Sequence, residues 1–433
     1  MAAAQAGMAP ASGTDEEETD VDETSAPALP PGTAAGTAPP REGFLGILLI
    51  FLRLGLTSFG GPIAHIGYFR SEFVTRRHWM SEAAYADLVA LAQFMPGPAS
   101  SQTGFAIGVL RGGLPGGLAA WIGFTLPSAL VMLLAAHGVD LATAGAGRGI
   151  VHGLKLVAVA VVAQAVWGMA ASLCPDRTRA TIAVLASMAL LLLPLALIQI
   201  VVILAGAAAG LALCRGGAPA GDARLGFHVT PATGITALVL FALLLFGLGP
   251  VAAATGSHAL ALAEASYRAG SLVFGGGHVV LPLLERAFVP SGWITADAFL
   301  AGYGVAQAVP GPLFTFAAFL GAAQGFWPNG ALGGAIALVG IFLPGLLLIY
   351  GMLPFWDGFR RRPAAQAALR GVNAAVVGIL LAALFDPIWT STVHAPADFA
   401  IALAAFAALV LWKLPAWLVV VLTAVAGALA TAI

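Results

Sequence analysis

Charge is what this chain has least of. Asp, Glu, Lys and Arg make up 9% of its 433 residues, where an ordinary soluble domain carries about a quarter. With 60% hydrophobic residues and a mean hydropathy of +0.94, a soluble globule is excluded and a polytopic, all-α membrane protein is expected. Cysteine is nearly absent too: Cys174 and Cys214 have no metal-ligand spacing and make no disulfide framework. No Gly-x-x-x-x-Gly-Lys loop, metal-ligand cluster or nucleophile elbow occurs in the sequence. Neither an ATP-driven pump within this chain nor an enzyme is therefore expected, and no cofactor, metal or nucleic-acid partner is implied.

The few charges are unevenly placed. Residues 1–40 hold seven acids (Asp15, Glu16, Glu17, Glu18, Asp20, Asp22, Glu23) and no Lys or Arg. Rich in Ala, Pro, Gly and Thr, this stretch reads as a disordered acidic tail that stays in the cytoplasm, since it lacks the basic start and apolar run of a secretory signal. From Arg41 onward there are 19 basic and 13 acidic residues, a net charge of +6.

What the chain does have is a repeat. "RLGLTSFGGP" at 53–62 aligns with "RAGSLVFGGG" at 268–277, and the register continues through Phe73 and Phe288, Trp79 and Trp293, and Gln93 and Gln307. It then reaches two Pro-Gly-Pro triplets, 96–98 and 310–312, and "FTLPSALVM" at 124–132 matches "IFLPGLLLI" at 341–349. This points to a duplicated, transporter-like architecture, with a first repeat at 41–225, a connecting helix at 226–257 and a second repeat at 258–433. Apolar spans are expected near 115–137, 150–173, 181–194, 195–213, 231–250, 330–353, 368–385, 398–412 and 415–432. The segments 44–74, 83–109, 258–284 and 296–320 read as broken helices or re-entrant hairpins. One extra crossing between the halves inverts the second, and Arg70, Arg76, Arg77, Arg111, Arg177, Arg179, Arg215, Arg224, Arg360, Arg361, Arg362, Arg370 and Lys413 then share the cytoplasmic side.

Each proline in a Pro-Gly-Pro triplet removes a backbone donor and clashes with the preceding turn. A helix restarting beyond it presents unsatisfied N–H groups and about half a positive charge, which suits an anion. After Pro98 the chain offers Ser100, Ser101, Gln102 and Thr103; after Pro312 it is more apolar, with Thr315 the polar member of Leu313–Phe314–Thr315. Arg53 and Arg268 hold equivalent places before the two glycine corners. Arg268 has Glu264 at i−4 for an intrahelical pair, whereas Arg53 has Leu49 there and is the favoured anion ligand, the alternative being that it snorkels to an interface or pairs with Asp87 across the fold. Asp87, Glu72, Glu82 and Glu264 are acids near this core, and each is equally a solvated loop residue or an ion-pair partner. His65 and His278 suit proton relays or hydrogen-bonded structural roles. Lys155, aligned with Asn373, reads as an interfacial snorkeling residue, and Trp79 and Trp293 as interface anchors.

The stretch "FLRLGLTSFGGPIAHIGYFRSEFVTRRHWMSEAAYADLVALAQFMPGPASSQTGFAIG" resembles the signature domain of the chromate ion transporter family. "YRAGSLVFGGGHVVLPLLERAFVPSGWIT" followed by "QAVPGPLFTFAAF" resembles its second copy. The likeness covers 44–433 and leaves the acidic tail outside. It implies a two-domain member of the bacterial inner membrane that exports chromate and confers chromate resistance, with protons as coupling ion and sulfate as a structural analogue; a homodimer is left open. The motif positions it carries over are Arg53, Phe59, Gly60, Gly61, Pro62, Glu72, Trp79, Gln93, Pro96, Gly97 and Pro98, then Arg268, Gly275, Gly276, Gly277, Gln307, Pro310, Gly311 and Pro312. Of these, Arg53, Gly60, Gly61, Gln93, Pro96, Gly97, Pro98, Arg268, Gly275, Gly276, Gln307, Pro310, Gly311 and Pro312, joined by Ser100, Ser101 and Thr315, form the expected anion site. Asp87, Glu72, Glu264 and His65 are the proton-coupling candidates. Two other readings stand beside this one: an importer of sulfate or another oxyanion, and a non-transporting scaffold or membrane subunit of an enzyme.

Overall fold

The computed structural model describes residues 42–59, 61–138, 146–193, 198–214, 229–274, 279–359 and 362–430, so the acidic tail lies outside the described residues. Those residues are helical with no strands. In chain order the helices are α1 (Phe44–Thr57), α2 (Gly61–Phe69), α3 (Glu82–Phe94), α4 (Ala99–Gly138), α5 (Ala146–Leu173), α6 (Arg177–Leu192), α7 (Ile198–Leu213) and α8 (Pro231–Thr255). They continue with α9 (His258–Ser271), α10 (Val280–Phe288), α11 (Ala296–Ala308), α12 (Phe316–Ala323), α13 (Gly330–Met352), α14 (Trp356–Phe359), α15 (Pro363–Ala383), α16 (Pro396–Val410) and α17 (Ala416–Ala430). Local chemistry sets several starts in both repeats. Ser81 Oγ accepts from Ala84 N (3.2 Å) to open α3, and Thr295 Oγ1 accepts from Ala298 N (3.2 Å) to open its counterpart α11.

The expected hairpins are present as pairs of short helices. At 14 residues, α1 is about 21 Å long, too short for a hydrocarbon core of about 30 Å. Its chain turns back after Ser58: Phe51 packs on Phe69 and Phe73 at ring-centroid distances of 5.7 and 5.1 Å, and Ser58 meets His65. Contacts whose residue numbers sum to a near-constant value are those of an antiparallel pair. A different hairpin forms at the second Pro-Gly-Pro, where Phe299 and Tyr303 of α11 both lie on Phe316 of α12; it is the repeat counterpart of the 83–109 segment. The 40 residues of α4 are two helices, because Gly112 and Gly113 have non-helical backbone angles. Gly108 lies against Gly116, and Gly117 against Val109 and Phe105, so the 99–111 and 114–138 arms run antiparallel. Gly321 and Gly333 bring α12 and α13 together in the same manner.

Lipid is as apolar as leucine, so helices here associate by close packing of small residues. Gly153 and Gly427 join α5 to α17, and Gly206 and Gly210 receive Gly371 to join α7 to α15. Each of these pairs crosses between repeats, and each is the image of the other. Within repeats, Gly55 lets α1 approach Phe124 of the 114–138 arm, and Gly270 lets α9 approach Ile341 of α13. The connecting helix α8 packs on α9 and α13. It has no counterpart beside α1 among the described residues.

The inverted arrangement yields a topological expectation. In an otherwise cysteine-free chain, Thr75→Cys and Pro290→Cys occupy equivalent exposed positions of the two repeats. An impermeant thiol reagent should reach them from opposite membrane faces; labelling of both from one face would remove the inversion.

Candidate functional site

Two helix breaks define the site, and each is completed by the other repeat. At the first, Gly97 has φ +126° and donates its N–H to Val273 O at 2.7 Å. A Cβ at Gly97 would stand 3.0 Å from Gly345 Cα and 2.9 Å from Gln102 Nε2, so glycine is required for both conformation and space. At the second break, Gly311 has φ +101° and donates its N–H to Ser58 O at 2.9 Å; a Cβ there would lie 2.8 Å from Ser128 Oγ. Ser58 and Val273 both fall five residues after the repeat arginines, and Ser128 and Gly345 are equivalent in the aligned Leu-Pro-Ser and Leu-Pro-Gly segments. The breaks therefore exchange contacts reciprocally, as a pseudo-two-fold requires.

Around this exchange the membrane interior is polar. The first intrahelical bond after Pro98 is Gln102 N to Pro98 O (2.9 Å), so the N–H groups of residues 99–101 face outward from the helix start without intrahelical acceptors. Gln102 folds back, donating from Nε2 to Pro96 O (2.9 Å) and Gly345 O (3.0 Å). Thr315 Oγ1 donates to Pro312 O (2.8 Å) at the second break. His65 is fully buried, with Nε2 3.1 Å from Ser58 O and Nδ1 3.4 Å from Ser100 Oγ, and its ring meets Phe124 edge-on. A carbonyl can only accept, so Nε2 carries the proton and Nδ1 accepts from the Ser100 hydroxyl. Ser58 Oγ, Ser101 Oγ, Thr125 Oγ1 and Gln102 Oε1 are buried and have no hydrogen-bond partner among the described residues.

The expected residues divide accordingly. Gly97, Pro98, Ser100, Ser101, Gly311, Pro312, Thr315 and His65 are buried about the breaks, with Gly61, Pro96 and Pro310 half-buried beside them. Gln307 is half-buried with Nε2 unpartnered, whereas its equivalent Gln93 is exposed. Gly60, Gly275 and Gly276 lie outside the described residues. Arg53 sits on the exposed face of α1, away from the buried cluster, and its guanidinium has no partner among the described residues. Arg268 is also exposed and holds Glu264 at 3.2 Å. Asp87 is half-buried on α3. Glu72, in the π-helical segment Arg70–Arg76 that follows α2, is gripped by Arg77 Nε (2.6 Å) and Arg76 Nη1 (3.0 Å). Its partial burial works to raise its pKa, but the two guanidinium hydrogen bonds outweigh this and hold the carboxyl below its ordinary range.

Other groups emerge only in three dimensions. Ser58, Thr125 and Ser128 lie inside the repeated segments 53–62 and 124–132, but they align there with Val273, Phe342 and Gly345, so the repeat marks their positions without marking them as polar site residues. Lys155 Nζ bonds Asp297 Oδ1 at 2.7 Å, joining α5 to the start of α11. Trp79 is buried, stacked on Phe73 at 4.9 Å, with the Arg111 and Arg77 guanidinium groups 4.9 and 5.5 Å from its ring centre.

The glycine geometry sets a stability expectation. Gly97→Ala and Gly311→Ala should each cost about 1–3 kcal/mol through left-handed backbone strain and the close neighbours. Gly325→Ala, at an exposed position with open space, should change stability by less than about 0.5 kcal/mol. Thermal unfolding in detergent measures all three, and equal stability across the set would mean that the breaks tolerate a side chain.

No solved structure matches this chain. Among curated proteins it is similar to the chromate transport protein of Pseudomonas aeruginosa, 27% identical over 405 residues that cover 89% of this chain and 92% of that protein. It is similar also to the probable chromate transport protein of Synechococcus elongatus, 29% identical over 387 residues (87% and 93% covered). A third relative is the chromate transport protein of Cupriavidus metallidurans, 26% identical over 373 residues (83% and 87% covered). The family described as chromate transporter matches residues 45–211 and 260–428, one match for each repeat with α8 between them, and the chain belongs to that family.

Proposed function

We propose that this protein is a secondary transporter that carries chromate across the membrane, binding the anion where the two Pro-Gly-Pro breaks meet. The observation that carries the reading is a set of buried, unpartnered hydroxyls: Ser101 in the first turn of the 99–111 arm, Ser58, which His65 links to Ser100 in that turn, and Thr125 in the 114–138 arm beside Phe124, on which His65 packs. An unsatisfied buried polar group costs about 1–3 kcal/mol, so these donors are better explained by a ligand or its water than by packing. A tetrahedral oxyanion accepts from all of them and from the N–H groups of residues 99–101, and the positive end of the helix dipole opposes its charge. The names of the curated relatives favour chromate as that oxyanion. Sulfate shares the geometry and is the second reading.

His65 is the proton carrier that the geometry favours over Glu72 and Glu264, which are held by arginines. A proton arriving at Nδ1 would end the hydrogen bond from Ser100 and release that hydroxyl toward the anion. Export from the cytoplasm across a bacterial inner membrane, driven by the proton gradient and conferring chromate resistance, is the direction adopted, with the acidic tail cytoplasmic. A homodimer is compatible with the broad apolar outer face. Arg53 and Arg268 act in this scheme through their field on the approaching dianion, because both face outward.

Uptake of labelled chromate into inverted vesicles tests the site. Ser58→Ala with Ser101→Ala should leave thermal stability intact, since neither hydroxyl has a partner among the described residues, while weakening chromate binding about ten- to a hundred-fold. Unchanged binding would move the anion elsewhere, and stronger competition by sulfate than by unlabelled chromate would favour the second reading.

Arg53 gives a separate test. A field effect needs charge but not the guanidinium fork. Arg53→Lys should therefore transport nearly as well as the parent and Arg53→Ala poorly; a Lys variant as defective as the Ala variant would restore Arg53 as a direct ligand.

A further inference from the structure

Helices α3 and α11 are the same element of the two repeats. Each is capped by a hydroxyl residue, Ser81 or Thr295, and each ends at a Pro-Gly-Pro. Their surroundings differ. On α11 the face carrying Leu300, Ala301 and Gly304 is buried, and the helix packs against α5 and α17. On α3 the same face is open: Ala83, Ala86, Ala90 and Gln93 are exposed and Asp87 is half-buried. The equivalents of α5 and α17 are α15 and α7, and α3 makes no comparable packing against either among the described residues. A face carrying a carboxylate and an amide is a costly one to turn to lipid, so the open side of α3 belongs to water.

Two contacts hold α11 in place. Lys155, 8% exposed within α5, bonds Asp297 at 2.7 Å. Gly304 lies on the backbone of Leu154, where a Cβ would come within 2.6 Å of the carbonyl oxygen. The counterparts of the ion pair are Asn373 and Ala83, and the counterpart of Gly304 is Ala90, so neither contact can be reproduced by α3.

We infer that α3 and α11 are a pair of gating arms caught out of phase, with α11 docked and closed, α3 free and open, and Lys155–Asp297 the latch on the closed arm. This rests on the transporter reading. The undocked arm begins beside Arg70, Arg76 and Arg77, the side that the positive-inside rule assigns to the cytoplasm; its open face then meets the compartment from which an exporter loads, while the breaks beneath it stay buried. Lys155 and Asp297 act as positioning residues, and neither touches the anion.

Thiol labelling in open membrane fragments tests the gate without substrate. In a full-length chain with Cys174→Ala and Cys214→Ala, Ala86→Cys and Leu300→Cys are equivalent positions on the two arms. A hydrophilic maleimide should label Ala86→Cys readily and Leu300→Cys slowly. Adding Lys155→Ala should speed labelling of Leu300→Cys about tenfold, the low end for one charge-assisted hydrogen bond because Asp297 is largely exposed. The reversed pair, Lys155→Asp with Asp297→Lys, should restore protection, which misfolding would not. Equal labelling of the two arms in the parent, or protection of Leu300→Cys that ignores Lys155→Ala, would overturn the inference. A chain that labels as expected yet carries no chromate would remove the substrate assignment and leave the gate standing.

Discussion

A helix that stops inside an apolar medium frees backbone groups that nothing nearby can satisfy, and the rest of this molecule is arranged around meeting that need twice. Gly97 takes the carbonyl of Val273, and Gly311 takes the carbonyl of Ser58. Both acceptors come from the opposite repeat, at the point where its own first helix ends. Neither break is complete in a single repeat, so the duplication is a condition of the site and not a decoration of it. The same exchange fixes where the polar groups lie: Ser58 cannot offer its carbonyl to Gly311 without bringing its hydroxyl and the neighbouring His65 to the start of the 99–111 arm.

The packing outside the breaks obeys the same economy of space. With no hydrophobic drive between helices in lipid, contact must come from backbones that approach closely. Gly153 with Gly427, and Gly371 with Gly206 and Gly210, supply it across the repeats. These contacts join α5 to α17 and α7 to α15 into a scaffold that leaves the broken helices on a separate bundle with α4 and α13. Of the two arms that precede the breaks, α11 is in contact with that scaffold and α3 stands off from it.

Much of this was legible in the sequence, for a definite reason. Proline removes a donor in any context, so the two breaks can be read without knowing the fold, and the repeat register through Trp79 and Trp293, Gln93 and Gln307 shows that the helices leading to them are equivalent. Side-chain direction was not legible where every neighbour is apolar. Arg53 lies among Leu49, Leu52, Leu54 and Leu56, which gives no polar stripe to phase the helix, and its outward direction follows only from the packing of α1 on α4. Lys155 finds its carboxylate 142 residues away in the other repeat, beyond any local spacing rule. The orphaned hydroxyls of Ser58 and Thr125 align with the apolar Val273 and Phe342, so the repeat gives no polar signal for them, and that nothing among the described residues answers them is visible only in three dimensions.

A duplicated architecture with identical halves would hold its two arms at equal free energy. This chain breaks that equality in its residues: Asp297 and Gly304 on α11 stand where α3 has Ala83 and Ala90, and Lys155 stands where α15 has Asn373. These replacements favour docking of α11 over docking of α3, by charge pairing between Lys155 and Asp297 and by close approach at Gly304. An imbalance of about 1.4 kcal/mol is a tenfold bias between two states, so one ion pair and one glycine contact are enough to set a resting state. A ligand reverses such a bias only by binding the other state more tightly by at least the same factor. The unequal arms thus set the threshold that the bound anion and any coupling proton have to pass, because their differential binding must exceed the docking advantage that Lys155, Asp297 and Gly304 confer on α11.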